Sequence, residues 1–316
     1  MPKGEVLARL DEIETFVAIV DAGTLTEASR RSGLALSAVS RRLRDLEARM
    51  GTTLIHRSTR TFSLSSEGQD FYLRCKQILS DLQEAETNLR DTKGRITGRI
   101  RIAAPLTFSV LHLSPILNEF MILHPDVEID LDLNDRQVDL VAEGFDLAIR
   151  IGRLTDSSLI AKRLTRIRHV PTVAPSLIER LGQPERPEDL ADFPALTYRS
   201  SGPGTEWRFV RPDGRKGSVT VKGTMACNNG DVLRAAAIAG LGVAFEPTFI
   251  CGPAISDGLL TPLFFDHTWS DNAAYAVFPP GRAQITRVRA LIEHIGARLS
   301  ETAWWDAKLM EQYELA

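Results

Sequence analysis

The sequence predicts an α+β protein of several domains: a small N-terminal unit of three helices with a two-stranded wing, one long helix, and a larger α/β unit of two lobes. Three observations carry the prediction. Arginines crowd two short amphipathic helices and the turn behind them, apolar residues from Phe71 to Leu89 recur at heptad spacing, and beyond Arg99 strand and helix patterns alternate. With 316 residues and 43% hydrophobic content, the chain has material for about two or three cores.

Asp11 with Glu14 three residues on reads as a capping box, and Ile13, Phe16, Val17 and Val20 line one face of the first helix. Thr24 and Glu27 repeat the signature for a second helix, which Gly33 closes. A third spans residues 36–50 and stops at Gly51. Its Val39, Leu43, Leu46 and Met50 share a narrow arc. Ser37, Arg41 and Arg44 lie opposite, with Ser40 on the flank. The first stripe packs inward; the second is short, polar and cationic.

Between Thr24 and Arg60 stand eight arginines against three carboxylates, Glu27, Asp45 and Glu47, in a chain of net charge −3. Positive charge concentrated on short helices is the footprint of a surface that reads double-stranded DNA. Small hydroxyls at the front of the third helix let it enter a major groove while arginines reach guanine edges or phosphates. An ordinary solvated helix with surface arginines is the bland alternative. Residues 54–56 and 61–64 then read as two short strands around a basic turn, placing Arg57 or Arg60 against phosphates or the minor groove.

A long helix follows to about residue 93. Phe71, Cys75, Ile78, Leu82, Ala85 and Leu89 form a heptad seam, read as a dimerisation arm or else as a stripe packed on its own chain. The domain limits are therefore 1–65, 66–94 and 95–316.

Together these segments resemble the LysR-type transcriptional regulators. The likeness is carried by Leu10-Asp11-Glu12-Ile13-Glu14-Thr15-Phe16-Val17, Gly23-Thr24-Leu25-Thr26-Glu27-Ala28-Ser29, Ser37-Ala38-Val39-Ser40-Arg41-Arg42-Leu43-Arg44-Asp45-Leu46-Glu47 and Arg57-Ser58-Thr59-Arg60. Later matches are Pro125-Asp126-Val127, the run Asp146-Leu147-Ala148-Ile149-Arg150-Ile151-Gly152, and Ala239-Gly240-Leu241-Gly242-Val243-Ala244. The resemblance implies a winged helix-turn-helix, a linker helix and a two-lobed effector domain of periplasmic-binding-protein type. It implies DNA contacts from Ser37, Ser40 and Arg41 and from Arg57 and Arg60, a homodimer or homotetramer, and contact with RNA polymerase. Many members carry Ser-Gln where this chain has Ala35-Leu36. Loss of that serine removes a helix cap worth roughly 1 kcal/mol, and Leu36 is left to touch a thymine methyl.

In the C-terminal part, strands are expected near 99–103, 127–133 and 147–151, with helices at 109–123 and about 137–143. Pro115 restarts or kinks the first of these helices. Lobe one takes about 95–166 and 273–300, and lobe two about 167–272. A ligand would sit in the cleft, against helix N-termini beyond the strand ends. Leu106, Thr107, Phe108 and Ser109 occupy that place in lobe one, and Asn228, Asn229 and Asp231 in lobe two. Arg150 ends a strand, and Tyr198, Arg199 and Phe245 are added by resemblance. Plain caps, a salt bridge and a core phenylalanine are the bland alternatives. Two arginines with helix N-termini favour a small anionic effector. Trp304 and Trp305 read as a cover for an apolar patch.

No GxSxG, HExxH, Walker or GxGxxG element is present, so catalysis is not expected, nor is a cofactor or metal. No run of about 18 apolar residues suggests a membrane span, and the charged first residues do not resemble a signal peptide. Cys75, Cys227 and Cys251 form no CxxC pair, which suits a reduced cytoplasmic setting. A thiol-based redox sensor on the same scaffold, acting through Cys227 ahead of a helix, is the alternative function.

Overall fold

A computed structural model describes residues 3–57, 62–90, 95–136, 138–152, 157–199, 206–269, 272–299 and 303–313. The chain forms two compact units, residues 1–95 with 138–144, and residues 96–137 with 145–316.

In the first unit, α1 (Lys3–Ala22) starts well ahead of Asp11. Asp11 is no cap: its carboxylate takes Arg42 Nη2 at 2.9 Å, and its carbonyl takes the Thr15 hydroxyl. Helix α2 (Leu25–Ser32) has the expected ends. The Thr24 hydroxyl accepts from Glu27 N at 3.1 Å, and Gly33 takes the left-handed conformation at φ 70°. Helix α3 (Leu36–Met50) ends in the same way at Gly51. Val39, Leu43 and Leu46 are fully buried against Phe16, Val17 and Ile19, but Met50 is 40% exposed and lies off the core.

Strands β1 (Ile55–Arg57) and β2 (Phe62–Leu64) pair antiparallel and form the wing. Helix α4 (Ser66–Arg90) divides its heptad seam. Phe71 and Cys75 join the core of this unit, Phe71 lying 5.6 Å from the Phe16 ring, whereas Ile78 and Leu82 are exposed. Its first half therefore packs on its own chain. Arg60 and the end of the linker near residue 93 lie outside the described residues.

The second unit holds two five-stranded sheets. Lobe one contains β3 (Gly98–Ala104), β4 (Val127–Leu133), β5 (Leu147–Gly152) and β6 (Ile160–Ile167), joined by the returning β14 (Asn272–Phe278), in the order β4-β3-β5-β14-β6. Strands β3, β4 and β5 run parallel; β14 runs antiparallel to β5 and β6, so the sheet is mixed. Helix α5 (Leu106–Leu123) covers it with Phe108, Leu113, Ile116, Leu117 and Phe120. That helix is long and apolar enough to cross a membrane by length and composition alone, but this buried face makes it a core helix.

The expected kink in α5 is a π-helical segment, Ser109–Leu113, in which Ser114 N donates to Ser109 O. Pro115 has no N–H to offer Leu111, and the widened turn absorbs the missing bond. The helix expected at 137–143 is instead a turn. Asp139 Oδ1 accepts from Val141 N and Ala142 N and ties the backbone locally, and Gln137 lies outside the described residues.

The chain enters lobe two at β7 (His169–Val173), followed by α6 (Pro175–Leu181) and β8 (Pro194–Tyr198). The hairpin β9 (Glu206–Val210) and β10 (Lys216–Thr220) precedes β11 (Lys222–Cys227), α7 (Gly230–Ile238), β12 (Val243–Pro247), α8 (Thr248–Ser256) and β13 (Thr261–Pro262). The sheet order is β11-β8-β12-β7-β13. Alternation along β12 sends Val243 to one core and Ala244 to the other.

Helix α9 (Thr286–Arg298) returns to lobe one, and α10 (Trp304–Gln312) then touches both lobes. Trp305 packs on the lobe-one core, 4.2 Å from the His112 ring centroid, while Leu309 belongs to the core of lobe two. Of the two tryptophans, Trp305 therefore covers an apolar patch, whereas Trp304 is exposed. Trp305→Ala should cost about 3 kcal/mol, read as a lower urea midpoint. Trp304→Ala, at a residue 62% exposed, should stay within about 0.5 kcal/mol of wild type.

Candidate nucleic-acid interface and effector cleft

Helix α3 sorts its arginines by flank. Arg42 reaches Asp11 and the Thr15 hydroxyl, and Arg49 reaches Glu12 at 2.6 Å, so both are compensated by α1. On α2, Arg30 and Arg31 share Glu27 at 2.6 and 2.8 Å, and their hydrogen bonds hold its carboxyl down at about 2. Among the described residues, Arg41 and Arg44 make no ion pair; Arg44 Nε gives only a 3.4 Å bond to Ser40 O.

The same face carries exposed Ser37, half-buried Ser40 and Leu36, which is 47% exposed at the first turn. Ala35 supplies no side-chain cap there, as its composition requires. The result is a helix front of small hydroxyls, one apolar side chain and two uncompensated cations. Arg57 lies at the end of β1, and Arg60 falls outside the described residues.

In the second unit, Thr107 and Asp231 meet across the lobes: Thr107 Oγ1 donates to Asp231 Oδ2 at 2.5 Å. Asp231 also holds Arg234 at 3.1 Å, and Arg234 Nη1 donates to Ile250 O. Asn229 caps α7, its Oδ1 accepting from Val232 N at 3.2 Å. Asn228 is exposed, and its carbonyl accepts the Tyr198 hydroxyl at 2.7 Å. Burial, then Asp135, pushes that phenol up.

The remaining candidates separate. Leu106 is 39% exposed at the start of α5. Phe108 is fully buried against Phe249 and Trp305, so it is a core side chain and reaches no ligand in this conformation. Phe245 packs among Trp207, His169 and Trp269, while its neighbour Glu246 points to the opposite sheet face beside α7. Phe245 is half-buried and packs against the core of lobe two. Arg150 stands opposite Tyr275 in the sheet and is engaged within the fold. Arg199 is exposed, with one 3.5 Å bond to Ala226 O.

Sequence reasoning did not find Arg234, although an aspartate three residues before an arginine on a helix was a usable signal. Nor did it find Glu246, which is 1% exposed and has neither carboxylate oxygen hydrogen-bonded among the described residues. A Cβ on Gly230 would lie 2.5 Å from Ile250 Cδ1 and 3.3 Å from Glu246 Oε1, so glycine makes room first for Ile250 and then for the acid beneath α7.

Two units, one with a cationic helix front and a wing, the other a pair of α/β lobes meeting through polar side chains, define a DNA-binding regulator with a ligand-sensing domain. The comparisons agree. Residues 10–69 match the bacterial regulatory helix-turn-helix proteins of the lysR family, and residues 93–300 match the LysR substrate binding domain. The chain is 32% identical to the HTH-type transcriptional regulator PtxR of Pseudomonas aeruginosa over 92% of its own length and 93% of the relative's. It is 30% identical to an uncharacterized HTH-type transcriptional regulator of Haemophilus influenzae, over 87% and 95%. The structure of CrgA from Neisseria meningitidis superposes with TM-score 0.58 at 26% identity, over 92% of this chain and 99% of CrgA. The chain belongs to the LysR family of transcriptional regulators.

Burial, opposed by Arg234 and aided by Asp231, raises the Glu246 carboxyl from 4.5 to about 8. The folded state then keeps a proton that the unfolded chain releases, so stability falls as pH rises from about 5 to about 8. The difference between wild type and Glu246→Gln should shift by up to about 1.4 kcal/mol per pH unit across that window, measured by urea unfolding. A pH-independent difference would show that Glu246 titrates normally.

Proposed function

We propose that this LysR-type chain binds an inverted-repeat operator as a homodimer or homotetramer and responds to a small anionic effector, changing DNA bending or contact with RNA polymerase. The observation that carries the DNA part is the pair of uncompensated arginines on the α3 front. A guanidinium already held by a carboxylate must lose that partner to bind phosphate, whereas Arg41 and Arg44 are available at once. A duplex target places the protein in the cytoplasm.

Self-association is supported by Ile78 and Leu82, 51% and 38% exposed along α4 at seam positions. Two recognition helices related by a two-fold axis then face half-sites spaced by whole turns of about 10 bp. In the second unit, Asp231 accepts the Thr107 hydroxyl at the first turn of α7. An anionic effector would take that acceptor place and release the bridge between the lobes. The thiol-based alternative has less behind it. It rests on Cys227, half-buried ahead of α7, since burial pushes Cys75 up to about 11 and Cys251 well above its ordinary value.

Arg41→Ala and Arg44→Ala should each lower the salt slope of operator binding by about one unit, while Arg42→Ala, whose guanidinium is committed to Asp11, changes it by far less. Equal losses at all three positions would reject the sorting of arginines by flank. For the effector, a thermal-shift panel of small carboxylic acids against amines should show stabilisation by acids, weakened by Thr107→Val with DNA affinity unchanged. Stabilisation by amines alone would refute an anionic ligand.

A further inference from the structure

The α3 helix that presents Arg41 and Arg44 also grips the wing. One turn after Arg44, Glu47 Oε1 accepts two backbone N–H groups, from Leu54 at 2.9 Å and from Ile55 at 3.2 Å. Leu54 and Ile55 are each 2% exposed, so the Glu47 oxygen serves amides of residues whose side chains belong to the core. Ile55 opens β1 in register with Leu64 of β2, and the two bonds fix where the wing leaves the recognition helix.

The same short segment is held from its other side. Ser65 Oγ donates to Thr53 O at 2.7 Å and accepts from Gly68 N at 2.9 Å. A Cβ on Gly68 would stand 2.0 Å from Leu54 O, so α4 approaches as closely as a bare glycine allows. Residues 53–55 are thus clamped between α3 and α4, two residues before Arg57.

We propose that Glu47 is a positioning residue for DNA binding: its carboxylate oxygen holds the strands of the wing in fixed register with α3, so that Arg41, Arg44 and the β1–β2 hairpin meet the duplex together. The inference rests on the DNA-binding reading above. A carboxylate three residues from Arg44 opposes phosphate by charge, so its contribution comes through geometry. Because a single oxygen takes both amides, an amide side chain of the same length keeps the acceptor for these two bonds. A carboxylate one methylene shorter cannot reach both.

The test uses the full chain and the duplex that the wild-type protein selects from a random-sequence library, with hydroxyl-radical footprinting and a salt titration. Glu47→Gln should keep the wild-type footprint. Glu47→Asp should lose the protected backbone on the wing side, keep protection where α3 lies, bind about tenfold more weakly and show a salt slope lower by about one or two units. The opposite order would assign the effect to charge, and equal behaviour of the two variants would show that the reach of the side chain does not matter; either result overturns the proposal. Unfolding of Glu47→Asp at the assay temperature would assign Glu47 to stability instead, and overturns it as well. A wild-type chain that selects no duplex refutes the DNA-binding reading itself, before any variant is compared.

Discussion

Where the carboxylates stand around the arginines of the first unit governs what that unit can do. Helix α1 lends Asp11 and Glu12 to one flank of α3, and α2 spends Glu27 on its own two arginines. These pairs lie at the surface with one partner or both open to solvent, so each adds little to stability. Their consequence is directional. They tie α1 to α3 and, among the described residues of α3, leave the uncompensated arginines on the flank that also carries small hydroxyls. Net charge along the segment would not have revealed this, since paired and unpaired arginines count alike.

The second unit uses polar groups differently. Around the first turn of α7, one short stretch supplies a cap through Asn229, an acceptor for lobe one through Asp231, and a cation through Arg234. Glu246 lies beneath it, buried without a hydrogen-bond partner among the described residues. Unsatisfied buried polar groups are costly. Glu246 sits beside Asp231, the residue whose side-chain hydrogen bond joins Thr107 to lobe two.

Much of the architecture was legible because it rests on local rules. Thr24 and Glu27, Gly33 and Gly51 mark helix ends through backbone conformation alone, and the α3 stripe follows from a 3.6-residue period. Asp11 misled because the capping pattern needs a chain that is not already helical, and residues from Lys3 onward are. The heptad of α4 was real, but periodicity does not say which neighbour covers it, and Phe71 and Cys75 found theirs within the chain. In the cleft, Thr107 and Asp231 stand 124 positions apart and only the fold brings them together. Phe108 and Phe245 fit a cleft by position, yet each points into a core.

Hydrogen exchange of the full chain, with and without a duplex it selects, reads the central claim residue by residue. Protection gained on binding should centre on the first three turns of α3, from Leu36 through Arg44, with α2 and the Arg49 end of α3 little changed. Protection centred on Arg30 and Arg31 instead, or none in α3, would contradict the account.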